Sequence, residues 1–351
     1  EIWTHLYREL LGVASHELFH AWNVKSFRPK GMESYRYEGW MYSELGYVYE
    51  GFTTYYGDLF LVRSGCLLPD EYLEEVNAYL LRHSENYGRY NHGLRESSID
   101  TWVDGYSQSQ SAPHRRVSIY AEGMLQALHL DLVIRSSTVN NESPASLDDL
   151  IRYLWKRFEQ SPETPGYTQE TLTLWLHENV SVPSTYKNWG DYFRIHYEQP
   201  NSIEESLRSI LPQFGCRLTT TPNEDRIKHL LGLQMKWNQA EPRVEHCVPG
   251  SPAALAGLGP DDRWLSWEIQ TNTSHQSPAV LNPSSDTDFL RKALTPNDSL
   301  RVRWITALGH ERQGVLRPHS TLRYYDQHKI EQDLQAGSTE LSARKQWLGI
   351  A

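Results

Sequence analysis

Apolar residues recur at helical spacing over the first two-thirds of the chain. Leu6, Leu10, Leu11 and Val13 or Ala14 mark an amphipathic helix, and Phe19 and Trp22 extend it. Arg28-Pro29 should stop it, because the residue before a proline avoids helical geometry. A second helical run opens at Glu50 and continues to Gly65. Pro69-Asp70 starts a third, with Leu73, Val76, Leu80 and Leu81 on one face. The polar stretch from Ser84 to Pro113 is too long for a simple connector, so short irregular turns or a cleft wall are expected there. Further helices are predicted from near Ser118 to Ser136, from Ser146 to Glu159 and from Thr168 to Glu178. Another begins at a capping box formed by Ser202 and Glu205 and ends before Gly215.

Beyond Leu230 the pattern shortens to strand-like runs, at residues 230–235, 243–248, 264–269 and 300–305. Ser251-Pro252 opens a short helix that Gly257 closes. Asp286 to Leu294 suits another. This change of texture divides the chain into a helical domain (1–225), a small β-rich domain (226–320) and a tail (321–351) expected to pack back on the first. No internal repeat is evident.

The first helix carries His16-Glu17-Leu18-Phe19-His20. Residues four apart lie one above the other on a helix, so both imidazoles can face one ion. Glu17 sits on the neighbouring strip, too close in sequence to be a third ligand with good geometry, and can instead hold a water as general base. Glu50 can close the site from the second helix. Two histidines and a carboxylate leave a fourth position open, as in catalytic rather than structural zinc sites. The bland alternative is a surface helix with two solvated histidines and an acidic residue favoured by a helix N-terminus. Asp58, Asn23 and Thr54 can orient the histidines through their far nitrogens, or serve as caps and solvated groups. Lys25 and Arg28 either face the cleft or compensate a helix dipole.

Composition narrows the reading. At 351 residues the chain can hold two domains. A net charge of −10 leaves no basic stripe for nucleic acid. No apolar run reaches the length of a membrane span. Cys66, Cys216 and Cys247 are odd in number and widely spaced, which suggests neither a zinc knuckle nor a disulfide framework. The compartment, cytoplasmic or periplasmic, stays open.

HELFHAWNVKSFRP followed by YVYEGFTTYYGDLFLVRSG resembles the glycyl-aminopeptidase family of PDZ-containing zinc metallopeptidases, gluzincins distantly similar to aminopeptidase N. Stretches at residues 97–102, 117–123, 146–150, 214–218 and 347–349 continue the likeness. It implies an α+β multidomain fold: a mainly helical thermolysin- or aminopeptidase-like catalytic domain, then a PDZ-like domain. It implies one Zn2+ held by His16, His20 and Glu50, Glu17 as general base, and Tyr120 donating to the oxyanion. The family has lysine where this chain has Glu122. It also has an N-terminal β domain and an amine-binding strand before the catalytic helix, so a sequence starting at Glu1 looks like a fragment. The implied activity is release of small N-terminal residues, glycine or alanine, from a peptide substrate. An endopeptidase, or a non-enzymatic PDZ scaffold, is the alternative. Ser251 to Leu258 looks like the family's PDZ helix, and Leu231, Gly232 and Leu233 would be the loop that takes the C-terminal carboxylate of a peptide ligand. Asp261-Asp262 and the long segment through Asn272, Ser274 and Ser277 depart from the family there, leaving a purely structural PDZ equally open.

Overall fold

The computed structural model describes residues 2–33, 38–104, 112–137, 145–164, 166–237, 241–270 and 287–350. They form two compact units, one of residues 1–219 and 328–351, the other of residues 220–327. The divisions fall at 219/220 and 327/328, where the sequence suggested 225/226 and 320/321.

The first unit is helical: α1 (Ile2–Phe19), a π-helical turn (Tyr47–Phe52) running into α2 (Thr53–Arg63), α3 (Pro69–Glu85), the short α4 (Leu94–Ile99) and α5 (Ala112–Arg115), then α6 (Ala121–Ser136). It continues through α7 (Leu147–Gln160), α8 (Gln169–Asn179), α9 (Trp189–Phe193) and α10 (Glu204–Ile210). Every residue of α6 from Ala121 to Ile134 is buried, so this helix is the axis of the unit rather than an amphipathic cover. Its polar side chains are all partnered, as burial requires. Asp131 accepts from the Tyr55 hydroxyl (2.6 Å) and the Leu147 amide (2.8 Å), His129 meets the Tyr192 hydroxyl (3.0 Å), and Gln126 meets His196 (3.1 Å). The last residues of the chain return to this core, where Trp347 is fully buried and donates to the Tyr55 hydroxyl at 3.0 Å.

Glu122, in the first turn of α6, is buried against His83 of α3 at 2.5 Å. The other ring nitrogen of His83 lies 3.1 Å from Glu204 of α10. Burial pushes this imidazole down, but the two carboxylates outweigh it and carry it up to about 9. Folding thus raises it from its ordinary 6.5, so its contribution to stability is complete below pH 6.5 and is lost as pH rises through 9. Thermal melts between pH 6.5 and 9 should show a falling melting temperature. His83→Gln should be less stable at pH 6.5 and flatter across that window; an unchanged slope in the variant would remove His83 from the account.

The second unit holds a five-stranded antiparallel sheet, in the order β1 (Leu233–Lys236), β2 (Arg243–Cys247), β3 (Arg263–Gln270), β4 (Ser299–Ile305), β5 (Glu311–Leu316). Trp264, Trp267 and Trp304 fill its core with Leu230, Leu231 and Leu233. Three short helices accompany it: α11 (Arg226–Leu231), α12 (Pro252–Leu255) and α13 (Thr287–Ala293).

Several local expectations change. The first helix ends at Phe19, not near Arg28, and a turn carries the chain through Ser26 with Val24 at φ +121°, a conformation rare for a β-branched residue. Leu230 and Leu231 belong to α11 rather than a strand, because Gly232 at φ +61° caps that helix. Ser202 does not box Glu205; its hydroxyl donates to Glu204, and α10 starts there. Strand β5 has no counterpart among the predicted runs. The expected helix start at Asp286, and Asn272, Ser274 and Ser277, lie outside the described residues. Among the described residues no helix is long and apolar enough to cross a membrane.

Candidate metal centre

His16 projects from α1, and His20 follows its last residue. The His20 amide still bonds the His16 carbonyl at 3.3 Å, so the one-turn relation is kept. The two Nε2 atoms are 3.1 Å apart and the rings meet edge to face. Glu50 sits within the π-helical turn, a rare form often found at functional sites, rather than at the start of an α-helix. Its Oε2 lies 3.4 Å from His16 Nε2 and 3.3 Å from His20 Nε2. All three donor atoms fall within 4.8 Å of one another, the one such trio of His, Cys, Asp or Glu among the described residues.

The far nitrogens have their own partners. His20 Nδ1 donates to the Asn23 carbonyl at 2.9 Å. Thr54 Oγ1 donates to the Glu50 carbonyl at 2.8 Å, which leaves it to accept from His16 Nδ1 at 3.4 Å. Both Nε2 atoms are therefore turned toward the carboxylate as lone-pair donors, the tautomer that metal binding needs. Glu50 Oε2 is buried and makes no hydrogen bond of ordinary geometry. Such a group calls for a cation at its centre, whether protons or a metal ion. Burial lowers His20, but the nearby Glu50 carboxylate and the Asn23 carbonyl raise it overall; burial raises Glu50, but the two imidazoles bring it below its usual range.

Glu17 is exposed, and its charge adds to the field that raises His20. Tyr120 caps α6 with its ring 6.2 Å from that of His16, nearly parallel at 28°. Beside it opens a cavity of about 120 Å³ lined by His92, Asp100, Asp104, Arg115 and Arg116. The polar stretch after Ser84 thus holds both short turns and a cavity wall, as far as it is described.

Residues 9–126 match the model of the M61 glycyl aminopeptidase family. Over that segment the chain resembles those peptidases. Its fold is similar to the crystal structure of an aminopeptidase N family protein from Idiomarina loihiensis, with a TM-score of 0.79 and 24% identity. The similarity covers 97% of this chain and 55% of that one, so the chain spans about half the length of the solved relative. No curated protein matches.

The matched segment contains His16, Glu17, His20, Glu50 and Tyr120 and also the less obvious supports. Asn23 orients His20 through its carbonyl, while its side chain bonds the Val48 carbonyl and Thr53. Asp58 is buried away from hydrogen-bond contact with either histidine, and burial pushes it up to about 7. Arg28 bonds the Lys25 carbonyl. Glu122 is anchored by His83, a pairing between helices that no local sequence signal announces. In the second unit, the Gly232 amide already donates to the Lys228 carbonyl at 3.0 Å, and Leu231 and Leu233 are fully buried. The Gly232 amide is thus already engaged within α11.

Proposed function

We propose that the protein is a zinc-dependent peptidase, and specifically an aminopeptidase that removes small N-terminal residues. The convergence of two imidazole nitrogens and an ionised carboxylate on one point supports it most directly. His16, His20 and Glu50 would hold the ion, a donor set that suits Zn2+ with a position left open. Bound there, zinc would supply Lewis acidity toward a carbonyl and acidify water near neutral pH. Glu17 would take the proton of the attacking water at its carboxylate and return it to the leaving amine. The Tyr120 hydroxyl would donate to the carbonyl oxygen as negative charge gathers there. Preference for glycine or alanine rests on the family match. For the second unit we infer a PDZ-like role in shaping the protein rather than in peptide capture, because the Gly232 amide is already bonded.

The test combines metal analysis with glycyl and alanyl p-nitroanilides. Zinc near one per chain, and release of p-nitroaniline that a chelator abolishes and added zinc restores, are expected. An N-acetylated substrate should resist; its hydrolysis would favour an endopeptidase. Stable zinc with neither activity would overturn the reading.

A further inference from the structure

Three glycines lie where the elements of the centre touch. A methyl on Gly51, the residue after Glu50, would fall 2.5 Å from the Gly123 backbone in α6 and 2.9 Å from the Ile119 carbonyl oxygen. One on Gly123 would fall 2.8 Å from Gly51 Cα and 3.2 Å from the Tyr47 carbonyl oxygen. One on Gly57, in α2, would meet the backbone nitrogen and Cα of His16 at 3.2 Å. None of the three has a positive φ, so conformational freedom does not explain them. Glycine inside a helix is unfavourable relative to alanine. What these positions share is backbone-to-backbone approach, and backbone atoms cannot swing aside as a side chain can. Each contact also joins two functional groups: the 51–123 contact ties Glu50 to the helix that begins after Tyr120, and the 57–16 contact ties α2 to the residue bearing His16. Ser15 donating to the Gly57 carbonyl at 2.7 Å seals the second crossing.

We propose that Gly51, Gly57 and Gly123 are positioning residues, setting the spacing of Glu50, His16 and Tyr120 through bare backbone contact. The proposal rests on the peptidase reading. A methyl at 123 would push α6 and the π-helical turn apart, carrying Tyr120 away from Glu50 and the imidazoles. A methyl at 57 would shift His16 against Glu50 and act on the metal itself.

The experiment is a double-mutant cycle with a second readout on zinc-loaded protein. Gly123→Ala should lower kcat of the zinc-loaded protein on the alanyl p-nitroanilide by about ten- to a hundredfold, with KM near the parent's. In a Tyr120→Phe background the same change should cost little more, because its target is already gone. Gly57→Ala should instead weaken zinc affinity, read by competition with a chromophoric chelator, by roughly tenfold or more. Equal losses from Gly123→Ala in both backgrounds would overturn the proposal. So would parental zinc affinity in Gly57→Ala, whose milder contact needs a shift of only tenths of an ångström and keeps the test alive if Gly123→Ala does not fold. If the unsubstituted protein binds no zinc and releases no product, the peptidase reading has failed instead.

Discussion

Replacing Glu17 by Gln should lower kcat by at least about a hundredfold while zinc stays bound at the parental ratio. The side chain is exposed and stands outside the trio of donor atoms, so the amide changes no ligand and disturbs no packing. Gln keeps the shape and the hydrogen-bonding reach of Glu but cannot accept a proton. The loss should fall on kcat more than on KM, because proton transfer belongs to the transition state rather than to substrate binding. The melting temperature should stay near the parental value. Hydrolysis at the parental rate by the zinc-loaded variant would remove Glu17 from the chemistry.

The second large effect is expected from His20→Ala. This change deletes one of three donors and frees the Asn23 carbonyl, whose turn is held in part by the imidazole. His16 and Glu50 alone make a poor site, so the metal-to-protein ratio after dialysis should approach zero, with hydrolysis gone as well. A cooperative melt separates this outcome from misfolding. Zinc retained at one per chain would show that His20 is not a ligand.

The helix α1 and the four-residue spacing of His16 and His20 were legible because both follow from a local period, but its apolar face was not, since Leu6, Leu10 and Val13 are exposed. The proximity of Glu50 was legible from the paired histidines, which call for a third ligand, and from the family likeness; periodicity alone left it an acidic residue at a helix start. The structure places it in a π-helical turn, whose extra residue per turn leaves no mark in an apolar pattern. The break after Phe19 was also hidden. The segment through Trp22 looks helical, yet the chain turns so that the Asn23 carbonyl meets His20, a tertiary arrangement that overrides local preference. In the second unit, Leu230 and Leu231 are apolar enough for either element. Gly232 decides for a helix, and a glycine within an apolar run is an ambiguous signal. Long-range pairs such as His83 with Glu122, 39 residues apart, carry no short-range signature.

The chain order of the first unit carries a consequence for biosynthesis. Its final stretch, 328–351, emerges only after the intervening residues 220–327 have been made. At roughly 5–20 residues per second, that delay is on the order of 5–20 s. Throughout it, the site that Trp347 later fills beside Tyr55 stays open on the nascent polypeptide. The helical unit thus completes its core only after the second unit has been made, and for that interval an aromatic cleft beside Tyr55 is unfilled.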